Sequence, residues 1–323
     1  MNKFSLFLKD AQNKGILNYT ENTPLSSVSS MGTGGKATFF VTPNTATALI
    51  DTVRSAESSG IYYTVIGNAT NLLFSDLGFH GAVISTKRIN TLCLNNGLIF
   101  AECGTPLPRL SHFALENAFS GFEGLVSIPA TVGGALVSNA GAFGNEISDN
   151  LVSFSVYLPK TDAVEERTPK DFPFSYRKSH ATDGGGIILS ACFSKNNGDR
   201  GEISAKMVQN RERRRRSQPT GVKSVGSFFK KPDYIGINKD VSTMYYGKSA
   251  GELIELCGLK GKTVGGAAVS EKHAGFIINK NSATTNDVKK LACEVKLTVL
   301  QKTGVILTEE CVIVEPTKAA PGI

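Results

Sequence analysis

The sequence of 323 residues predicts an α+β fold with two domains. Between residues 44 and 193, short apolar runs that are typical of strands alternate with helical apolar spacing, and glycine-rich segments connect them. The composition becomes polar and loop-like near Lys195–Arg200, which indicates a domain boundary. The length also suggests about two domains, since one hydrophobic core rarely serves a chain of this size.

The first part of the chain is predicted to be rich in strands. Asn44 is expected to cap a helix over Thr45–Ser59, because apolar residues recur there at helical spacing and Gly60 follows as a stop. A second helix is expected from Pro106 to about Ala118. Strands are predicted at Ile61–Ile66, Ala82–Ser85, Leu98–Cys103, Leu151–Leu158 and Ile187–Phe193.

The second part is predicted to contain more helix. Helical spacing and stop signals indicate helices at about Glu202–Ser217, Ser249–Cys257 and Thr285–Lys302. The segments between and after them are interpreted as a glycine loop at Gly261–Val269 and strands at Ala274–Asn279 and Val305–Val314.

The composition excludes several classes of protein. No apolar run is long enough to span a bilayer, and the N-terminal segment is too short and too charged for a signal peptide, so a cytoplasmic location is expected. The six cysteines lie far apart in apolar surroundings without a C-x-x-C pair, and the four histidines are scattered. This pattern predicts buried free thiols in a reducing compartment and no metal site.

A run of arginines accounts for most of the net charge of +7. Residues 211–216 are arginines interrupted by one glutamate within a predicted helix, which places Arg211 and Arg215 on one face. Two guanidinium groups in this arrangement suit a small anion such as a diphosphate. A solvated basic face is the ordinary alternative, and a nucleic-acid-binding surface is a second one.

Two stretches of small residues are candidates for a cofactor site. Ser127–Gly144 is crowded with glycine, alanine and serine, and Gly67–Leu73 combines glycine with amide side chains directly after a predicted strand. Small residues let the backbone approach a ligand closely while successive N–H groups converge on it. Taken alone, the first stretch is equally consistent with a tight packing loop, and the second with an ordinary turn.

Three polar side chains stand out from their segments. Arg177 is the cation of the aromatic segment Phe172–Ser179, Ser227 lies in a Gly-Ser-Phe-Phe turn, and Glu310 alternates with apolar residues on the last predicted strand. Ser227 has no nucleophile-elbow sequence around it, so acyl transfer is not indicated, whereas proton donation stays open. A turn residue and a solvent-facing acid are the ordinary alternatives for Ser227 and Glu310.

Several motifs follow one another in a fixed order between Asn22 and Val314. They are Thr33-Gly34-Gly35, Gly67-Asn68-Ala69-Thr70-Asn71-Leu72-Leu73, Ser127-Ile128-Pro129-Ala130-Thr131-Val132-Gly133-Gly134, Asn139-Ala140-Gly141-Ala142-Phe143-Gly144, Tyr176-Arg177-Lys178-Ser179, Gly226-Ser227-Phe228-Phe229-Lys230, Ala250-Gly251-Glu252-Leu253-Ile254, His273-Ala274-Gly275-Phe276-Ile277-Ile278-Asn279 and Leu307-Thr308-Glu309-Glu310. Each motif alone is weak, whereas the ordered set resembles the UDP-N-acetylenolpyruvoylglucosamine reductase family, the flavoenzymes of peptidoglycan precursor synthesis. The short segment between Arg177 and the arginine helix has no added tyrosine-bearing loop, which resembles the shorter subtype of that family.

The resemblance implies an architecture. An FAD-binding domain of the vanillyl-alcohol-oxidase (PCMH) type would consist of two lobes, residues 1–75 and 76–199, and residues 305–316 would return to the first lobe. A smaller α+β substrate-binding domain would span residues 200–304, and residues 317–323 would form a tail. A monomer is expected, with a small-molecule substrate and no nucleic-acid or membrane partner.

The resemblance also implies a reaction. NADPH would reduce bound FAD, and the reduced flavin would pass hydride to UDP-N-acetylglucosamine enolpyruvate to give UDP-N-acetylmuramate. Another flavin-dependent dehydrogenase or oxidase of the same fold is the alternative interpretation. By resemblance, the FAD-binding residues are Gly34, Gly35, Ile66, Gly67, Asn68, Ala69, Thr70, Asn71, Leu72, Ile128, Pro129, Thr131, Val132, Gly133, Gly134, Asn139, Ala140, Gly141 and Ala142.

Finally, the resemblance implies roles for the three polar side chains. Arg177 would hold and polarise the substrate carboxylate, and a protonated Glu310 would lie against the developing enolic carboxylate. Ser227 would give a proton to C2 of the enolpyruvyl group. The register from Leu307 favours Glu310 over Glu309 as the catalytic acid. The substrate-binding residues would be Tyr176, Arg211, Arg215, His273 and Lys231, the last at a position where the family usually has asparagine.

Overall fold

The computed structural model describes residues 2–234 and 245–316, so the predicted tail at 317–323 lies outside the described residues. No helix in these ranges is both long enough and apolar enough to cross a membrane. The helices are α1 Lys3–Asn13, α2 Ala46–Ser58, α3 Leu107–Glu116, α4 Val132–Ser138, α5 Arg200–Ser217, α6 Ala250–Leu256 and α7 Thr285–Thr303. The strands are β1 Leu17–Pro24, β2 Lys36–Pro43, β3 Tyr63–Ile66, β4 Leu72–Phe74, β5 Phe79–Ser85, β6 Leu92–Asn95, β7 Leu98–Glu102, β8 Phe119–Ser120, β9 Gly141–Ala142, β10 Asn145–Glu146, β11 Leu151–Leu158, β12 Ala163–Arg167, β13 Phe174–Ser175, β14 Lys178–Ser179, β15 Ile187–Phe193, β16 Asn196–Asn197, β17 Thr263–Val264, β18 Ala267–Val269, β19 Ile277–Asn279 and β20 Val312–Val314.

A four-stranded sheet with the order β1-β2-β5-β3 forms the N-terminal layer. Strands β2, β5 and β3 run parallel, and α2 packs its buried Val53 into the core beside them. The prediction of Asn44 as the cap of α2 is wrong, because the Thr45 side chain accepts from the Ala48 N–H. Asn44 is held elsewhere, since its side chain donates to the Gly15 carbonyl at 2.8 Å.

A five-stranded antiparallel sheet with the order β12-β11-β15-β7-β6 forms the middle layer. Strands β11 and β15 have the predicted bounds. Phe154 of β11 belongs to the same buried cluster as Val53 of α2, together with Leu110 of α3 and Leu136 of α4. The first two sheets and their helices therefore share one hydrophobic core.

The C-terminal sheet is small and antiparallel, with the order β17-β18-β19. Helix α7 packs against it through a stripe of buried apolar residues that includes Val288 and Leu291, and these belong to a second core. The loop predicted at Gly261–Val269 is partly wrong, because Gly265 and Gly266 form the two-residue turn of the hairpin β17–β18. Gly265 has a φ of 53°, which such tight turns favour.

The last described segment returns from the C-terminal sheet to the N-terminal part of the chain, where β20 pairs parallel with β4. The strand predicted over Val305–Val314 is shorter than expected, since only Val312–Val314 forms a strand. The backbone before it bonds to a different segment of the chain. The Glu310 N–H donates to the Phe228 carbonyl at 2.8 Å, and the Val312 N–H donates to the Asn71 carbonyl at 2.9 Å. This crossing places Glu310 between the two parts of the molecule.

Two further sequence predictions need correction. The strand predicted at Ala274–Asn279 begins only at Ile277, because the Phe276 N–H closes a turn on the His273 carbonyl. Not all cysteines are buried either, since Cys293 is exposed on α7 and Cys93 and Cys192 are intermediate; all six are free. Between residues 2–234 and 245–316, no group of three or more His, Cys, Asp or Glu side chains is placed to hold a metal ion.

Candidate active site

A cleft of about 860 Å³ is lined by residues from both parts of the molecule. One wall consists of the loop after β3, the turn before α4 and the residues that follow α4. Most of the remaining lining comes from the end of α5, the segment after it and the residue before Cys311. The predicted site residues that line the cleft are Gly67, Asn68, Ala69, Thr70, Asn71, Leu72, Ile128, Pro129, Thr131, Gly134, Ala140, Gly141, Ala142, Arg177, Arg211, Arg215, Ser227 and Glu310.

The two loops of the first wall are fastened to each other through one carbonyl oxygen. The Pro129 carbonyl accepts from Asn68 Nδ2 at 2.8 Å and from Thr70 Oγ1 at 3.1 Å. The loops approach so closely that a Cβ on Gly67 would lie 2.2 Å from Thr131 Oγ1. Protein packing therefore requires glycine at position 67, and the two loops form one continuous surface.

The loop after β3 offers unpaired backbone donors beside the cleft. Within the part of the chain that the structure describes, the N–H groups of Asn68, Ala69, Thr70 and Asn71 donate to no protein acceptor. Ala69 has a φ of 52°, in the left-handed region. A left-handed residue inside a loop can turn consecutive N–H groups to the same side, which is a common way to bind phosphate oxygens. These residues fit the phosphate groups of a dinucleotide cofactor.

Helix α4 contains two adjacent glycines whose surroundings differ. A Cβ on Gly133 would lie 3.0 Å from the Cβ of Cys103, so this glycine lets the helix pack on the sheet. A Cβ on Gly134 would meet only Thr131 Oγ1, at 3.5 Å. Gly134 lines the cleft, whereas Gly133 does not. The protein itself does not demand glycine at position 134, which fits the close approach of a bound cofactor there.

FAD, the cofactor that the resemblance implies, is expected to bind about tenfold more weakly to Gly134→Ala, equivalent to ~1.4 kcal/mol, without a loss of stability in the cofactor-free protein. Alanine is a better helix former than glycine, so the Tm of the apoprotein should stay constant or rise. The matched variant Gly133→Ala should lower that Tm, because its new Cβ meets Cys103. Fluorescence titration with FAD and circular dichroism melting measure the two effects. Unchanged FAD affinity in Gly134→Ala would contradict a close approach of FAD to α4.

Some predicted FAD-binding residues stand behind the cleft surface. Gly34 is packed against Phe74 of β4, since an added Cβ would lie 2.7 Å from the Cβ of that residue. Asn139 connects the end of α4 to two neighbouring segments, since its Nδ2 donates to Glu146 Oε2 at 2.6 Å and to the Ser175 carbonyl at 3.1 Å. The predicted residues that do not line the cleft are Gly34, Gly35, Ile66, Val132, Gly133 and Asn139.

Arg177 and Glu310 form an ion pair in the cleft. Arg177 Nε donates to Glu310 Oε1 at 2.5 Å, and its Nη2 donates to the Gly141 carbonyl at 3.0 Å. The two side chains are only 19% and 17% exposed. Burial raises the pKa of Glu310 above its ordinary value, although the charges of Arg177 and Lys230 oppose this rise. The carboxyl of Glu310 therefore takes up a proton more readily than an exposed glutamate does, despite the cation beside it.

Ser227 lies in the loop that is bonded directly to the segment carrying Glu310. The carbonyl of Phe228, the next residue, accepts from the Glu310 N–H at 2.8 Å. Glu309, by contrast, pairs with Lys296 at 2.8 Å and does not line the cleft. Ser227 and Glu310 thus line the cleft from two segments that are bonded to each other, and of the two neighbouring acids only Glu310 is part of the lining.

The arginine helix α5 contributes guanidinium groups to the cleft. Arg211 and Arg215 both line it, as predicted, although their side chains are exposed. Arg211 Nη2 lies 2.5 Å from His112 Nε2 on α3, and Arg215 pairs with Glu212 at 3.0 Å. Both cations stand at the mouth of the cleft with existing polar partners.

Sequence reasoning missed Arg214, which also lines the cleft. Its Nη1 donates to the Ser127 carbonyl at 2.6 Å. The available signal was helical spacing, because Ile203 and Met207 are buried against Val126 and Arg214 follows Met207 after two turns on the same face. An arginine on the buried face of a helix is a stronger candidate for a functional contact than one on its exposed face.

The other predicted substrate-binding residues do not line the cleft. Tyr176 is half exposed, and its hydroxyl accepts from the backbone N–H of Lys231 at 3.3 Å. The His273 ring packs edge-on against Phe276, and burial lowers the pKa of that imidazole. A contact of Tyr176, Lys231 or His273 with substrate stays a prediction.

Sequence comparison identifies relatives that extend along nearly the whole chain. The UDP-N-acetylenolpyruvoylglucosamine reductase of Caldicellulosiruptor bescii is 38% identical over 310 residues, which cover 95% of this chain and 93% of that protein. The chain belongs to the UDP-N-acetylenolpyruvoylglucosamine reductase family. The reductase of Geobacillus thermodenitrificans is 37% identical over 296 residues, which cover 92% of this chain and 93% of that protein.

Domain and structural matches agree with membership of the reductase family. The C-terminal domain of UDP-N-acetylenolpyruvoylglucosamine reductase matches residues 218–314, and an FAD binding domain matches residues 37–165. The crystal structure of UDP-N-acetylenolpyruvylglucosamine reductase (MurB) from Thermus caldophilus is 32% identical, has a TM-score of 0.75, and covers 92% of this chain and 98% of its own. The predicted fold class is confirmed: α+β, with an FAD-binding domain of the vanillyl-alcohol-oxidase (PCMH) type and a smaller α+β domain.

Proposed function

We propose that this member of the reductase family reduces UDP-N-acetylglucosamine enolpyruvate to UDP-N-acetylmuramate, using NADPH as reductant and bound FAD as hydride carrier. Family membership supports the reaction. The observation that carries the proposal for this chain is the convergence of Arg177, Ser227 and Glu310 on the cleft lined by the glycine-rich loops. The proposal includes a cytoplasmic site of action, where the product would serve peptidoglycan synthesis.

The first wall of the cleft would hold the cofactor. Bound FAD would supply the redox chemistry, which amino-acid side chains lack. The loop 67–72 would offer its free N–H groups to the phosphates, and Gly134 would allow close approach. Neither this loop nor the turn 127–131 contains an ionisable side chain. Proton transfer must therefore come from the other side chains of the cleft.

Arg177 and Glu310 would stabilise the charge that the reaction creates. Hydride addition to an unsaturated carboxylate builds negative charge on that carboxylate, and donors aimed at it lower the barrier. Arg177 suits this task because its guanidinium stays charged and is aligned by Gly141 and Glu310. Glu310 would have to be protonated to lie beside the same charge, and burial favours its protonated form.

Ser227 would deliver the proton to C2. Its side chain lines the cleft, and in the described ranges no protein group accepts or donates a hydrogen bond at its hydroxyl. The hydroxyl can therefore turn towards substrate without breaking an internal bond. Lys230 adds positive charge near Glu310, and a cation close to the serine would ease the transient loss of its proton.

Arg211 and Arg215 would bind the diphosphate of the uridine nucleotide. Both line the cleft, so their charge is directed towards a small-molecule site. A nucleic-acid-binding surface would instead combine basic residues with aromatic side chains for base stacking over an extended area. The cleft therefore favours a nucleotide substrate over a polynucleotide.

Product analysis tests the proposed reaction. Purified protein incubated with FAD, NADPH and UDP-N-acetylglucosamine enolpyruvate is expected to oxidise NADPH and to form a nucleotide heavier by two hydrogens, detected by mass spectrometry. UDP-N-acetylglucosamine, which lacks the enolpyruvyl group, serves as the control and should give no turnover. NADPH oxidation that is independent of the enolpyruvyl nucleotide would support another flavin dehydrogenase or oxidase.

Glu310→Gln is expected to retain more activity than Glu310→Ala, which should lose about 10²-fold in kcat. Because the protonated carboxyl is the active form, wild-type kcat should fall as pH rises through the Glu310 pKa, which burial moves upward from the ordinary glutamate range. Glutamine donates a hydrogen bond at every pH, so this fall should disappear. The measurement is kcat against pH for all three proteins. Equal losses in both variants with unchanged profiles would contradict the assigned role.

A further inference from the structure

Arg214 differs from the other arginines of residues 211–216 in burial and in bonding. It is half-buried, whereas the other four are exposed. Its Nη1 donates to the Ser127 carbonyl at 2.6 Å and lies 3.3 Å from Ser127 Oγ. Its Nε donates to Gln218 Oε1 at 2.9 Å. The guanidinium is therefore held in one orientation between α5 and the turn before α4.

No acidic side chain compensates the charge of Arg214 in residues 2–234 and 245–316. Its partners are a carbonyl, a hydroxyl and an amide oxygen, and its Nη2 has no acceptor in these ranges. Burial lowers the pKa of the guanidinium, yet an arginine remains protonated at neutral pH. A partly buried cation without a counter-charge is unfavourable, so an anion in the adjoining cleft would stabilise it.

The hydrogen bond of Arg214 to Ser127 is part of a chain of hydrogen bonds that reaches both predicted cofactor loops. Ser127 begins the turn that contains Pro129, and the Pro129 carbonyl accepts from Asn68 and Thr70. Hydrogen bonds thus connect α5, the turn before α4 and the loop after β3 in sequence. A shift of Ser127 would displace both loops that carry the free N–H groups and the small residues of the first wall.

We propose that Arg214 is a positioning residue for the cofactor: it fixes the Ser127–Pro129 turn and gives the cleft an uncompensated positive charge for the FAD diphosphate. The inference rests on the proposed function, which requires bound FAD. A uridine nucleotide carries a diphosphate as well. The bonds of Arg214 lead to the cofactor loops, which is why the cofactor is the expected ligand. Arg211 and Arg215 already have polar partners at the mouth of the cleft.

The test measures FAD affinity of the apoprotein by fluorescence quenching at low and high salt. Arg214→Ala is expected to raise the Kd for FAD by about 30-fold, the size expected for losing a charge-assisted hydrogen bond. Arg214→Lys should lose affinity but keep the salt dependence, because the charge remains without the fork of donors. Arg214→Gln should lose both the affinity for FAD and its salt dependence, because glutamine keeps a donor for Ser127 but carries no charge.

A second arginine of the same helix provides the matched control. Arg216 is a fully solvated arginine of the same helix, with a side chain 80% exposed and outside the cleft lining, so Arg216→Ala should leave the FAD Kd unchanged. If Arg214→Ala folds poorly, the Gln and Lys variants give the same comparison.

The outcomes separate this inference from the function on which it rests. A Kd for FAD in Arg214→Ala equal to that of Arg216→Ala would overturn the inference alone. So would a loss confined to UDP binding, measured by perturbation of the flavin spectrum in the holoenzyme, because the charge would then serve the substrate. A wild-type protein that binds no FAD would reject the proposed function together with this inference.

Discussion

Replacing Arg177 with alanine is expected to lower the rate of substrate reduction by about 10³-fold, the largest loss for a single residue of the site. The guanidinium would no longer face the carboxylate that becomes negative in the transition state. The change would also leave Glu310 buried without its cation, and the pKa of that carboxyl would rise further because a group that lowers it is gone. Arg177→Lys should recover only part of the rate, since an ammonium group lacks the planar fork of donors with which the guanidinium bonds Gly141 and Glu310.

Anaerobic stopped-flow measurements separate the step that Arg177 serves from the rest of catalysis. Oxidation of the reduced protein by the enolpyruvyl nucleotide should slow strongly, while reduction by NADPH should change much less. The FAD content must be measured in parallel, because Arg177 also donates to the carbonyl of Gly141, a predicted FAD-binding residue that lines the cleft. Loss of that bond could weaken FAD binding. Equal slowing of both steps at full FAD content would contradict a role on the substrate carboxylate.

Ser227→Ala is expected to slow oxidation by substrate by about 10²-fold or more, the usual loss when a general acid is removed. Reduction by NADPH should remain nearly normal, because no proton passes to C2 in that step. The hydroxyl makes no internal hydrogen bond among the described residues, so its removal should not destabilise the fold. Single-turnover measurements of flavin reduction by NADPH and of flavin oxidation by substrate give the two rates.

Ser224 provides the control for Ser227 within the same loop. It also lines the cleft, but its hydroxyl is used internally, accepting weakly from the Gly226 N–H at 3.5 Å. Ser224→Ala should therefore leave oxidation by substrate close to the wild-type rate. Comparable losses in the two serine variants would indicate disturbance of the loop and would contradict proton donation by Ser227.

Ordered motifs and periodicity were sufficient to predict the fold class and most of the residues that line the cleft. The loop Gly67–Leu72 and the stretch before α4 could be recognised because they are dense in small residues directly after a strand or before a helix. Arg177, Ser227 and Glu310 are far apart in sequence, so only the resemblance to a family could predict that they meet. Composition and spacing alone left each of them with an ordinary alternative.

Tertiary packing explains what sequence reasoning missed. Asn44 and Thr45 are both good cap residues, and the bond from Asn44 to the Gly15 carbonyl decides between them. Gly133 and Gly134 look alike in sequence, yet one faces Cys103 and the other faces the cleft. Helical spacing from Ile203 and Met207 could have placed Arg214 on the buried face of α5, but its bond to the Ser127 carbonyl depends on tertiary packing.

Anaerobic titration of the flavin is the most direct test of the proposed reductase. The purified protein is expected to be yellow, NADPH should bleach its visible absorbance, and UDP-N-acetylglucosamine enolpyruvate should restore it with formation of an equal amount of UDP-N-acetylmuramate. A colourless protein that cannot be reconstituted with FAD would contradict the account. A reduced flavin that the enolpyruvyl nucleotide leaves bleached would contradict it equally.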